Sequence, residues 1–244
     1  MITPAMRQRH YVNAAILWLV LTFIAELMVQ YLVKFPALFS DDGQVIDDAT
    51  RLLFVLSMPV FTFVITVMVY SLIHFRATPG VLEAGAPITG NNMFSLGWLA
   101  VTGGLCIAVI IHPGLTGLYE LAPRGDADVE VKIHSAQWYF EVEYPNGEKS
   151  TAELVLPVGQ KVRFEISANK VLHSMWIPAF RLKMDAVPGQ VTELNVTPNQ
   201  VGSYADNPML RIQCAEICGL NHGMMQLPIR VVEQDEFYTT YGGN

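Results

Sequence analysis

The sequence predicts an α + β membrane protein: three membrane-crossing helices followed by an outer β sandwich or barrel. Three observations carry that expectation. Hydrophobic residues make up 52% of the chain and charged ones only 15%, against about 25% charged in soluble domains. The apolar residues concentrate in three long runs before residue 112. From Tyr119 onward those runs stop, and short alternating segments between turn residues take over.

The first run, Val12 to Val33, holds one charge, Glu26; the second, Leu52 to Ile73, and the third, Met93 to Ile111, hold none. A bilayer-spanning helix needs about 20 apolar residues, so each qualifies. Pro59 can kink the second run where neighbouring groups satisfy the freed carbonyl. The first run follows the basic start MRQRH and so has a rival reading as a signal peptide. A signal's apolar core is usually about 7–15 residues and ends at a small-residue cleavage site. This run is longer and no clear A-x-A follows, so a retained helix over 1–35 is expected. Glu26 then faces a protein neighbour or a polar crevice rather than lipid. Residues 36–51 read as an outer loop and 52–118 as a transmembrane hairpin. Arg7, Arg9, His74 and Arg76 flank the runs on one side, while Asp41, Asp42, Asp47 and Asp48 lie on the other. Basic residues favour the cytoplasmic side. Three crossings therefore place everything after about residue 118 outside.

The outer domain, 119–244, contains VEVKIHS, WYFEVEY, KVRFEISA, TELNVTP and LPIRVVE. Each alternates by twos and is rich in Val, Ile, Phe or Tyr, as half-buried strands are. PNGE, PVGQ, VPGQ and TPNQ supply the turns. The domain carries 16 acidic and 10 basic residues, so its net −6 accounts for nearly all of the chain's −7. That balance excludes nucleic acid, which needs basic patches. It reads as ordinary solubility or as steering of a basic partner.

The stretch CAEICGLNHGMM, Cys214 to Met225, brings together two thiols, an imidazole, a thioether and a carboxylate. A disulfide or half of a zinc site would each use part of it. Thiolate, thioether and imidazole together suit copper, and blue-copper sites use such a set. One copper needs one cysteine, whereas two thiolates on one loop can bridge two coppers. A second imidazole is then required, and His173 in KVLHSMWIP is a better choice than His134, which sits in an alternating strand. Met224 adjoins Met225, but the H-x-x-M spacing selects Met225. Cys106, in the third run, reads as a small buried hydrophobe. His112 reads as interfacial, and Trp18 and Trp98 as membrane packing residues.

CAEICGLNHGMM resembles the binuclear copper loop of cytochrome c oxidase subunit II, C-x-E-x-C-x-x-x-H-x-x-M. VLHSMWIPAFRLKMDAVPG is similar to the segment carrying that family's first histidine ligand. AQWYFEVEYP is similar to its aromatic stretch, and the hairpin with its HFRATPG turn to its membrane anchor. The likeness is to bacterial members with an additional N-terminal hydrophobic segment. It implies a cupredoxin-like Greek-key barrel on the periplasmic side of the bacterial inner membrane. It implies two copper ions bridged by Cys214 and Cys218. His173 and Met225 complete one metal, and His222 with the Glu216 carbonyl completes the other. The Glu216 side chain reaches a magnesium shared with subunit I. Trp138 takes the electron from cytochrome c, and Glu141 and Glu143 help dock that basic donor. Oxygen reduction and proton pumping belong to partner subunits carrying haem and copper. Membrane lipid surrounds the helices.

The pattern departs from the family at Ser95, where a channel glutamate is usual, at Phe140 in place of a tryptophan, and at Gln190 in place of an arginine. The Ser95 change removes the carboxylate on which a proton-intake role would rest. Two other members of the wider superfamily compete: a nitric oxide reductase subunit bearing the same copper module, and a copper-free quinol oxidase subunit. The intact donor set speaks against the second.

Overall fold

The structure is a computed structural model that describes residues 4–76 and 90–242. The apolar runs form the helices α1 (Pro4–Leu32), α2 (Asp41–His74) and α3 (Asn92–Val109). Among the described residues, three helical stretches are long and apolar enough to cross a membrane, the third continuing to Leu121. The Asn91 side chain caps α3 by accepting from the Phe94 N–H at 3.1 Å. Beyond α3 the helical path kinks at Ile110–Leu115, where His112 is extended, as the residue before a proline tends to be. A short helix, α4 (Thr116–Leu121), follows. The ATPG part of the HFRATPG turn, 77–80, lies outside the described residues.

The chain divides into two compact units. One gathers the residues up to Lys34 and Ala49–Gly114; the other gathers Phe35–Asp48 and the residues from Leu115 onward. In the helical unit, polar contacts tie α1 to α2. The Trp18 indole donates to the Pro59 carbonyl at 2.8 Å, the Thr22 and Thr62 hydroxyls meet at 2.7 Å, and His10 Nδ1 lies 3.0 Å from the Tyr70 hydroxyl. Such groups favour helix association in lipid, which offers them no partner. Glu26 is half-buried on α1. Cys106, expected to be buried, is instead exposed, because α3 buries none of its residues within this chain.

The loop expected over 36–51 is corrected by the structure, since α2 begins at Asp41. Ser40 caps it by accepting the Gly43 N–H at 3.1 Å, and Asp41 and Asp42 fill the first turn, where negative charge meets the positive end of the helix dipole. This start is fastened to the outer domain. Ser40 pairs with Pro198, Phe39 and Ser40 are buried, and the Thr197 N–H donates to Asp42 at 2.7 Å. Arg181 donates to both carboxylate oxygens of Asp47, at 2.8 and 3.2 Å, with both side chains only about a tenth exposed.

The outer domain is built from two sheets. Its strands are β1 (Val129–Ala136), β2 (Tyr139–Glu143), β3 (Lys149–Ser150), β4 (Leu154–Pro157), β5 (Val162–Ala168), β6 (His173–Ile177), β7 (Leu182–Ala186), β8 (Thr192–Val196), β9 (Gly202–Ser203), β10 (Arg211–Cys214) and β11 (Gln226–Val232). The first sheet runs β3-β2-β1-β5-β8; the second runs β4-β11-β10-β6-β7, with β9 also on β11. β1 lies parallel to β5, and β11 parallel to β4. The alternating residues Val129, Val131 and Ile133 of β1 point inward, as do Ile229 and Val231 of β11, into one shared core. A closing helix, α5 (Gln234–Tyr241), buries Phe237 beside Tyr144. Burial of Tyr144 pushes its phenol well above the usual range, and its hydroxyl accepts the Val155 N–H at 2.7 Å. Phe140 is buried in the core, where it needs no hydrogen-bond partner.

Candidate metal centre

β10 ends at Cys214 and pairs antiparallel with β6, so that Cys214 lies opposite Met175, two residues from His173. The Ala215 N–H continues the pairing by donating to the Ser174 carbonyl at 3.0 Å. This register brings together two stretches about 40 residues apart in sequence. The loop between β10 and β11 then closes on itself. The Cys214 N–H donates to the Met225 carbonyl at 3.0 Å, and the His222 N–H to the Gly219 carbonyl at 3.1 Å. Residues His222–Met224 form one tight helical turn, which carries the chain back toward the thiols.

The two thiols are free, buried and 3.8 Å apart, sulfur to sulfur. His173 Nδ1 lies 3.8 Å from the Cys214 sulfur, and His222 Nδ1 lies 3.6 Å from the Cys218 sulfur. Met225 Sδ lies 3.8 Å from the Cys218 sulfur, and the Glu216 carbonyl oxygen 3.2 Å from the Cys214 sulfur. Donor atoms of His173, Cys214 and Cys218 all fall within 4.8 Å of one another. Met225 is wholly buried while Met224 is 77% exposed, which separates the two methionines. His134, on β1, contacts the Ser167 hydroxyl at 3.1 Å instead.

Burial shifts the titration of Cys218 and His173. It pushes the Cys218 thiol up to about 11, helped by the Cys214 thiol beside it. It holds the His173 imidazole below its ordinary value, assisted by His222 and His134. Both directions favour the neutral forms of Cys218 and His173, and a soft cation would displace a thiol proton on binding. His173 Nε2 is buried without a hydrogen-bond partner among the described residues. The donor set fits copper: soft sulfur, borderline nitrogen and one thioether that a hard cation would not use.

Trp138 is half-buried at the turn between β1 and β2 and packs against the core. Its indole reaches the Cys214–Met225 loop at Gly219: a β-carbon there would lie 3.3 Å from Trp138 Cζ2. Gly219 has φ +119°, a conformation that favours glycine. The residue before Trp138, Gln137, donates from its side chain to the Cys218 carbonyl at 2.8 Å. Gln137 and Gly219 carry no distinctive signal in the sequence, although Gln137 adjoins Trp138 and Gly219 adjoins Cys218.

Glu141 and Glu143 face lysines of the same chain. Lys149 lies 2.9 Å from Glu141 and 3.2 Å from Glu143, and Lys132 lies 3.7 Å from Glu143. The Lys149 hydrogen bond holds the Glu143 carboxyl below its usual range. A basic partner would have to compete with these contacts.

Residues 148–233 match the family described as cytochrome c oxidase subunit II, periplasmic domain. Over 174 residues the chain is 31% identical to cytochrome c oxidase subunit 2 of Alkalihalophilus pseudofirmus, an alignment covering 68% of this chain and 48% of that one. It thus spans about half the length of that relative. Over 224 residues it is 27% identical to the alternative cytochrome c oxidase subunit 2 of Bradyrhizobium diazoefficiens, covering 79% of this chain and 78% of that one. Among solved structures it is similar to the periplasmic domain of subunit II of cytochrome oxidase of Bradyrhizobium japonicum, with a TM-score of 0.42 and 29% identity, covering 47% of this chain and 91% of that one.

Proposed function

We propose that this chain, a member of the cytochrome c oxidase subunit II family, is the electron-input subunit of a respiratory haem–copper oxidase. It takes electrons from cytochrome c or a similar donor and delivers them to the subunit that reduces oxygen, a reaction coupled there to proton translocation. The three helices lie in the bacterial plasma membrane beside subunit I, and the β domain lies outside.

One observation carries this reading. Three side-chain donors and one carbonyl converge on a pair of free thiols, with neighbouring separations of 3.2 to 3.8 Å. Cys214 and Cys218 would hold two copper ions between them. His173 and Met225 would complete one, and His222 with the Glu216 carbonyl the other. The Glu216 side chain would serve a magnesium shared with subunit I. A copper pair held by Cys214 and Cys218 would supply one-electron storage at this site, with little rearrangement on transfer.

The chain's own residues do the rest. The β10–β6 register fixes Cys214 beside His173, and the tight turn at 222–224 fixes His222 and Met225 against Cys218. Burial of the thiols, His173 and Met225 excludes water, which limits reorganisation around the site. Trp138, seated on Gly219 of the metal loop, provides the point of electron input. The domain's net charge supplies long-range attraction for a basic donor, with Glu141 and Glu143 contributing only as their lysine contacts give way.

Metal analysis of the purified full-length chain after copper loading tests the reading. The expected result is two coppers per chain, no zinc and a purple colour in the oxidised form. One zinc and no copper would overturn it.

A further inference from the structure

We propose that Gln137 is a positioning residue for the metal loop, holding the Cys218 peptide through its side-chain amide. The proposal rests on the reading of Cys214–Met225 as a copper loop. Gln137 lies in the turn between β1 and β2, outside both strands. Its Nε2 donates to the Cys218 carbonyl at 2.8 Å, joining residues 81 apart in sequence.

A second observation places the same turn on the same peptide. A β-carbon at Gly219 would lie 3.3 Å from Gln137 Nε2, 3.3 Å from Trp138 Cζ2 and 3.4 Å from Trp138 Nε1. The peptide joining Cys218 to Gly219 is therefore covered on two counts, by an amide on its carbonyl and an indole on its α-carbon. Glycine at 219 suits both contacts, because a β-carbon there would sit closer than ordinary van der Waals contact and the turn would have to give by a few tenths of an ångström.

Fixing the Cys218 carbonyl fixes the direction of the Cys218 side chain. That sulfur stands next to three donors: the Cys214 sulfur, His222 Nδ1 and Met225 Sδ. Gln137 thus acts on the site without touching a metal ligand's donor atom. Its covalent neighbour is Trp138, so the same hydrogen bond holds the indole at one separation from the thiol pair. Gln137 is itself exposed, so its replacement opens no cavity in the core. Its effect falls on the loop and not on the stability of the domain.

The test uses the full-length chain with Gln137→Met, which keeps the side-chain length and removes the donor. Gly219→Ala attacks the same contact from the other side. The metal-free proteins are treated with iodoacetamide, and modification of Cys218 and Cys214 is followed by peptide mapping, with Cys106 as the internal reference. The expected result for Gln137→Met is a rise of about fivefold in Cys218 reactivity, the worth of one typical hydrogen bond. Cys214 should change less, and the thermal midpoint should be unaltered. Gly219→Ala should move Cys218 in the same direction. After copper loading, Gln137→Met should keep the wild-type copper count and show an altered copper hyperfine splitting. Unchanged Cys218 reactivity in both variants would overturn the proposal. So would an equal rise at both thiols accompanied by a lower thermal midpoint, which describes general loosening. A wild-type chain that takes up no copper would overturn the copper reading instead, and the comparison of metal-free thiols separates the two failures.

Discussion

Cys218→Ser is expected to abolish the binuclear site while leaving the β domain folded. The Cys218 sulfur stands at the centre of the donor cluster: 3.8 Å from the Cys214 sulfur, 3.6 Å from His222 Nδ1 and 3.8 Å from Met225 Sδ. A serine hydroxyl is hard and does not ionise near neutral pH, so it cannot replace a bridging thiolate on a soft metal. Removing a hydrogen-bond partner that only supports a ligand typically costs about 10–100-fold in metal affinity, and losing the bridge itself should cost more. Copper analysis after desalting should fall from two per chain to one or none, with loss of the purple colour. The strand pairing around Cys214 uses backbone groups, so circular dichroism should match the wild type. A wild-type copper count and colour in Cys218→Ser would remove Cys218 from the ligand set.

Trp138→Phe should slow electron input by about tenfold or more, equivalent to roughly 1.4 kcal/mol on the barrier, with copper content unchanged. The indole N–H is buried and has no hydrogen-bond partner among the described residues. Phenylalanine therefore breaks no bond and leaves no partner stranded. What it loses is the part of the indole that meets Gly219, since Cζ2 and Nε1 are the atoms nearest to that residue. Turnover with reduced cytochrome c by the assembled oxidase, set beside copper content, separates the two effects. Normal oxidation rates in Trp138→Phe would remove its role in electron input. A loss of copper together with the rate would recast it as a structural residue.

Much of the architecture was legible because it depends on simple patterns. Long uncharged runs need no periodicity to announce a membrane helix, and the five alternating segments expected as strands correspond to β1, β2, β5, β8 and β11. The metal loop stood out because it concentrates soft donors within twelve residues. Other features depend on what lies across the fold. SDDG, read as part of a loop, caps a helix because the acids that look like solvent-facing turn residues also complement the helix dipole. Its anchorage, Asp47 to Arg181, joins residues 134 apart, and no local pattern reports it. The pairing of Glu143 with Lys149 follows from strand register, in which the two stand opposite each other. Gln137 carries no distinctive signal of its own, and its importance arises only where β1 turns beneath the loop of Cys218.

The proposed function requires two thiols to bind a pair of coppers that share one electron. The most direct test is electron paramagnetic resonance of the oxidised, copper-loaded full-length chain. The expected spectrum shows hyperfine splitting by two equivalent copper nuclei. A spectrum split by a single copper nucleus, from protein carrying its full complement of metal, would contradict the account.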